Sequence, residues 1–155
     1  MQSLKINILI PDQRLALKDA ATGRTLASYP ISTSAFGTGS EPGSYRTPTG
    51  HFCIAEKIGH GAPLGAVFES RRMTGERAAP CNPADERDRI TTRILWLHGL
   101  EPHNANTRDR YIYLHGTNHE EAIGRPVSHG CIRMRNADIA ALFEQVEPGT
   151  EVWIA

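Results

Sequence analysis

The chain begins with a period-two alternation, "LKINILI" at 4–10, which puts Leu4, Ile6 and Ile8 on one face. Such a pattern scatters its apolar residues around a helix but gathers them on one side of a strand, so the segment is committed to a half-buried sheet. "RLALKD" and "TLASYPIST" follow, separated by the glycine-containing turn "AATGR", and hairpin pairing is expected from the start. "HFCIAEKI" alternates again. "RILWLHGL" and "RYIYLHG" are rich in β-branched and aromatic residues, and "TEVWI" closes the chain as a further strand. In "RYIYLHG" the alternation places Tyr111, Tyr113 and His115 on one face and Ile112 and Leu114 on the other, so His115 ends a strand. Helical spacing occurs once. Ile139, Leu142, Phe143 and Val146 recur at it, with Asn136 as N-cap, Asp138 in the first turn, and Pro148 and Gly149 as the stop.

These patterns predict a mainly β fold with one short helix. At 155 residues the chain has the size of one domain, 1–155, with no repeat and no linker. Two stretches read as irregular: "FGTGSEPGSYRTPTG", whose glycines match neither GxGxxG nor a P-loop, and Gly59 to Asp88, where "SRRMTGERAAP" reads as a solvated loop. With 17 basic and 17 acidic side chains the formal charge is zero, which gives no electrostatic ground for nucleic acid or an anionic membrane as partner. No apolar run approaches a membrane span, and "INILI" is too short for a signal-peptide core. The expectation is a cytoplasmic protein if Met1 is the native start, and a periplasmic one if an export segment is missing from this sequence. Three cysteines cannot all pair within one molecule, and a free thiol suits a reducing compartment.

Chemistry concentrates in "PVSHGCIRM", Pro126 to Met134. Cys53 and Cys81 read as structural or incidental, but Cys131 keeps different company. A nucleophilic thiol needs a base, donors for a developing oxyanion, and a backbone that lets substrate approach. Gly130 removes a side chain beside the sulfur and permits unusual dihedrals, leaving backbone N–H groups free to converge. His129 is near in sequence, yet His115, followed by Gly116 and 16 positions upstream of Cys131, is preferred as the base. A thiol beside an imidazole is expected to ionise more readily than a free one. Zinc is the chemical rival, through His115, His119, His129 and Cys131, but the residues between the first two are poor helix formers and no CxxC pair occurs.

At "HGTN" (115–118) and "SHGCIRM" (128–134) the sequence resembles the L,D-transpeptidases with a YkuD-type catalytic domain. "YPISTSAFGTGSEPGSYRTPTGHF" and "PGTEVWI" extend the resemblance over most of the chain. It implies an antiparallel β-sandwich or barrel-like sheet with a short helix after the cysteine. Cys131 would be the nucleophile and His115 the base and acid, with the Gly116 carbonyl orienting the imidazole. Amides around Gly130 and Cys131 would form the oxyanion hole, Ser128 and His129 would shape the turn, and Arg133 would brace the site or meet a substrate carboxylate. The implied reaction is acyl transfer on peptidoglycan stem tetrapeptides: a thioester on Cys131 expels terminal D-alanine, then passes to an amine in transpeptidation or to water in carboxypeptidation. No metal or cofactor is implied. Carbapenem-type inhibitors are. Without an export segment, soluble muropeptides are the reachable substrate. A zinc hydrolase and a non-catalytic peptide- or glycan-binding module remain the alternatives.

Overall fold

The computed structural model describes residues 3–155. In chain order its elements are β1 (Leu4–Leu9), β2 (Arg14–Asp19), β3 (Thr25–Ser32), β4 (Gly50–Ile58), β5 (Ala66–Glu69), β6 (Arg72–Arg77), β7 (Ile90–Gly99), β8 (Tyr113–Gly116), β9 (Ile132–Met134), α1 (Asn136–Gln145) and β10 (Glu151–Ile154).

The opening alternation is realised as the β1–β2 hairpin. Ile6 stands opposite Leu17 and Ile8 opposite Leu15, and all four are sealed from solvent. Each such side chain contributes roughly 1.5–3 kcal/mol on burial, so a one-residue slip that turned all four outward is strongly disfavoured. On the far side of β1 runs β10, which sets Val152 beside Ile6 and Ile154 beside Ile8. From there pairing passes around a ring, β4-β10-β1-β2-β3-β9-β8-β7, and the β4–β7 ladder closes it. Closure leaves no open edge in the ring and encloses Phe52, Ile54, Leu95, Leu97, Leu114 and Ile132 with the hairpin residues in one core. The β5–β6 hairpin leaves this ring from β7. α1 packs on β7 and β8 and delivers Ile139, Leu142 and Phe143 to the same core.

The mainly β, mostly antiparallel architecture with a short helix after Cys131 is therefore present, with differences in detail. Two strand pairs are parallel, β1–β10 and β8–β9, and β9 is a strand that the sequence pattern did not reveal in "IRM". The region expected to be irregular from Gly59 to Asp88 contains β5 and β6. Every residue of β6 is exposed, so no alternation of polarity marks it. Tyr111 does not belong to the strand of His115. It sits in a turn at φ +57°, 52% exposed, because its N–H is taken by the Arg108 carbonyl, and alternation begins only at Ile112. Asn136 is not the helix cap either. Glu120 accepts the Asn136 N–H at 2.8 Å, which frees the asparagine side chain for the interior.

Candidate active site

Parallel pairing of β8 with β9 sets Leu114 beside Ile132 and His115 beside Arg133. Leu114 and Ile132 point into the main core. By alternation Tyr113, His115, Cys131 and Arg133 share the opposite face, with Cys131 and His115 as diagonal neighbours. The register thus sets Cys131, the residue before β9, one diagonal step from His115 although 16 positions separate them in sequence.

The turn that presents Cys131 is tied down at several points. Ser128 lies between Thr33 and Ala35: its N–H donates to the Thr33 carbonyl at 2.9 Å, and its carbonyl accepts the Ala35 N–H at 3.0 Å. The Ser128 hydroxyl donates to the Cys131 carbonyl at 2.6 Å and accepts the Gly130 N–H at 3.2 Å, and Thr47 Oγ1 donates to the Gly130 carbonyl at 3.0 Å. Gly130 adopts φ +121°, a conformation that side chains resist, and a Cβ there would press on the Arg46 carbonyl at 3.3 Å. With the Gly130 amide taken by Ser128, the amides of His129 and Cys131 are the ones without an acceptor among the described residues. This differs from the expected donors around Gly130 and Cys131, because the Gly130 amide is already engaged and the His129 and Cys131 amides are the ones free to donate.

His115 is 1% exposed, and its Nδ1 lies 2.5 Å from the Gly116 carbonyl. A carbonyl only accepts, so Nδ1 carries the proton and Nε2 holds the lone pair that a base requires. Burial lowers the imidazole below its ordinary 6.5, against an opposing pull from Asp88 and the Gly116 carbonyl. Gly116 itself is required by crowding, since a Cβ there would lie 2.6 Å from Asn136 Oδ1 and 2.7 Å from the Thr91 carbonyl.

The Cys131 sulfur accepts the Tyr113 N–H at 3.3 Å and donates to the Tyr111 carbonyl at 3.3 Å. Burial pushes the thiol up to about 12, with the Tyr113 amide opposing. This corrects the expectation of an easily ionised cysteine. Desolvation disfavours the thiolate, and the sulfur makes no hydrogen bond to His115 that would offset it. Both shifts run toward the uncharged forms, a thiol and a neutral imidazole.

Arg133 is buried, and its Nη2 meets the Asp88 carboxylate at 2.8 Å, while His129 Nδ1 lies 3.8 Å from the same carboxylate. Asp88 comes from the stretch that the sequence left irregular. It is held there by Asn118, whose Nδ2 donates to the Arg87 carbonyl at 3.1 Å and whose Oδ1 accepts the Arg89 N–H at 3.1 Å. Beside the sulfur opens a cleft of about 360 Å³, lined by Pro42, Tyr45, Arg110, Tyr111, His129 and Cys131. Sequence reasoning missed Asp88, Tyr111 and Tyr113. Alternation had put both tyrosines on the face of His115, correctly for Tyr113, without giving either a role, and nothing marked Asp88 among its charged neighbours. The residues weighed as zinc ligands do not converge: His119 Nε2 is 2.6 Å from the Asp85 carbonyl, and among the described residues no three His, Cys, Asp or Glu side chains gather as a metal site.

Comparison with known proteins gives one answer. The family model for YkuD, described as the L,D-transpeptidase catalytic domain, matches residues 4–154. The putative L,D-transpeptidase YqjB of Bacillus subtilis is 34% identical over 109 residues, 70% of this chain and 51% of that protein. The structure of L,D-transpeptidase 3 from Mycobacterium tuberculosis in complex with a faropenem-derived adduct aligns with TM-score 0.62 at 16% identity, over 99% of this chain and 60% of that one. That of LdtMt1 in complex with imipenem aligns with TM-score 0.60 at 19% identity, over 99% and 59%. The chain spans about half the length of the curated relative, and the two structures share its fold.

Proposed function

We propose that this chain, which belongs to the family of YkuD L,D-transpeptidase catalytic domains, is a cysteine acyltransferase acting on the L,D peptide bond of peptidoglycan stem tetrapeptides. The observation that carries the reading is the β8–β9 pair, which places His115, its Nδ1 fixed on the Gly116 carbonyl, diagonally beside Cys131.

In this mechanism the scissile carbonyl enters the cleft beside Cys131. As the sulfur–carbon bond forms, the thiol proton passes to His115 Nε2, so thiolate develops only as it is consumed and the high resting thiol value is no obstacle. The tetrahedral oxyanion is met by the free amides of the turn at Cys131 and His129, with Gly130 supplying the dihedral that aims them. The C–N bond then breaks, the imidazolium gives its proton to the departing D-alanine nitrogen, and a thioester remains on Cys131. A second nucleophile, deprotonated by His115, resolves it: an amine yields a cross-link, water a tripeptide. Ser128 and His129 hold the turn, and Arg133, its charge met by Asp88, braces the site.

The acceptor also decides the setting. Hydrolysis goes with soluble muropeptides in the cytoplasm, and cross-linking with wall polymer in the periplasm. Mass spectrometry of the protein incubated with a tetrapeptide stem and an acceptor stem tests the reading. It should show an acyl adduct lost in Cys131→Ser, together with either tripeptide and D-alanine or a cross-linked dimer. Imipenem should likewise add one drug mass at Cys131. A stem left intact by the wild-type protein, with no adduct, overturns the assignment.

A further inference from the structure

The β5–β6 hairpin carries its tip toward the tyrosines that frame the sulfur. Glu69 pairs with Arg72, so Ser70 and Arg71 form the two-residue turn, and both take positive φ, +48° and +67°. Such turns favour glycine and asparagine, and a left-handed residue with a full side chain costs about 1–2 kcal/mol. An arginine is kept there nonetheless. Its guanidinium donates to the Tyr113 hydroxyl at 3.2 Å and lies over the rings of Trp96 at 4.9 Å and Tyr111 at 5.1 Å. Tyr113 gives its N–H and Tyr111 its carbonyl to the Cys131 sulfur. The cation therefore stands one tyrosine away from the nucleophile.

What it lacks is an anion in contact, since Glu56, which favours its charge from a distance, is itself paired with Arg108. Arg133 is met by Asp88 at 2.8 Å and Arg108 by Glu56 at 3.1 Å, while Arg110 is spent on the carbonyls of Gly39 and Arg46. Among the described residues no carboxylate comes within ion-pair distance of Arg71. Of its five N–H donors one is used, and the aromatic faces fix the plane of the rest without satisfying them.

We infer that Arg71 is the carboxylate-binding subsite of this enzyme, taking a free carboxylate of the stem peptide through a charge-assisted, bidentate contact. The inference rests on the acyl-transfer reading above. Two carboxylates are within chemical reason, that of the departing C-terminal residue, one residue beyond the scissile carbonyl, and one on the side chain of a diamino acid at the third position. Both offer the same planar pair of oxygens.

The test compares wild type and Arg71→Gln on three stems: the free acid, its C-terminal carboxamide, and a stem amidated on the third side chain. Arg71→Gln should raise KM for the free acid about tenfold to a hundredfold with kcat nearly unchanged. The amide that erases the difference between wild type and variant identifies the carboxylate, and Arg71→Lys should recover part of the loss. Iodoacetamide, which is uncharged, should label Cys131 at the same rate in all variants. Equal loss on all three stems together with altered labelling means that Arg71 merely straps the hairpin, and overturns the inference. Turnover indifferent to Arg71 overturns it alone, whereas no turnover of any stem by wild type overturns the function reading and this inference with it.

Discussion

Removal of the Asn136 side chain should unfasten the site from the helix that follows it. Asn136 is 4% exposed and makes four side-chain hydrogen bonds. Its Oδ1 accepts from the hydroxyls of Thr91 at 2.6 Å and Thr92 at 2.5 Å. Its Nδ2 donates to the Thr117 carbonyl at 2.9 Å and to the Glu120 carboxylate at 2.7 Å. Three neutral bonds at about 1 kcal/mol and one to a charged group at about 1.5–3 give a gross loss of roughly 4.5–6 kcal/mol. The threonine hydroxyls can rotate to other acceptors and water can enter, so about 3–5 kcal/mol is expected for Asn136→Ala. For a domain of this size that lowers Tm by roughly 6–20 °C. Circular dichroism melts measure it. A fall of less than about 2 °C would refute the claim that this asparagine joins β7, the segment after His115, and α1. Asn136→Asp sharpens the test, because it sets a second carboxylate beside Glu120. Like charges raise the proton affinity of such a pair, so the variant should recover stability relative to wild type as pH falls and the shared site takes up a proton.

The remaining predictions concern titration, reactivity and crowding. His115 is lowered below 6.5 when folded, so the unfolded chain binds more protons just below that value, and stability present above 6.5 should be lost as pH falls further; His115→Gln should flatten that limb in pH-dependent melts. In the proposed mechanism the same neutral imidazole is the base, so the acid limb of kcat/KM should lie below pH 6.5, and an apparent value near 7.5 would contradict it. Cys131 is raised from 9.0 to about 12, so folded protein without substrate should react slowly with iodoacetamide at neutral pH, with exposed Cys81 labelled first; preferential labelling of Cys131 at pH 7 would show that the thiolate forms without substrate. Gly116→Ala sets a methyl 2.6–2.8 Å from Asn136 and Thr91 and should destabilise by about 1–3 kcal/mol while lowering kcat, as measured by melts and thioester formation.

How much of this was legible follows from which interactions are local. Alternation in "LKINILI" and "RLALKD" fixes which residues face the core, and the helical spacing of Ile139, Leu142 and Phe143 does the same for α1, because both periodicities are properties of a few neighbours. Cys131 and His115 stand out by residue type and motif. Their juxtaposition depends on a parallel ladder only three residues long in β9, too short for any period to show. The exposed strand β6 escaped for the complementary reason, since a strand with both faces in water has no polarity contrast to display.

The charges of the site were the least legible, and they alter the chemistry most. "SHGC" beside a histidine suggests a thiol already ionised, yet ionisation depends on desolvation by residues that β5, β7 and β8 bring together, among them Phe68, Ile94 and Tyr113. It also depends on Asp88, 43 positions before the cysteine, whose negative charge opposes the thiolate while favouring a proton on His115. Arg133 at 2.8 Å answers that charge, so the buried face holds one matched ion pair rather than a lone carboxylate facing the thiol. A pocket of this kind resists a standing thiolate and gains from an imidazolium that lasts only as long as the tetrahedral intermediate. In the proposed mechanism proton transfer is thereby tied to the arrival of a carbonyl, and Cys131 stays quiet until there is something to attack.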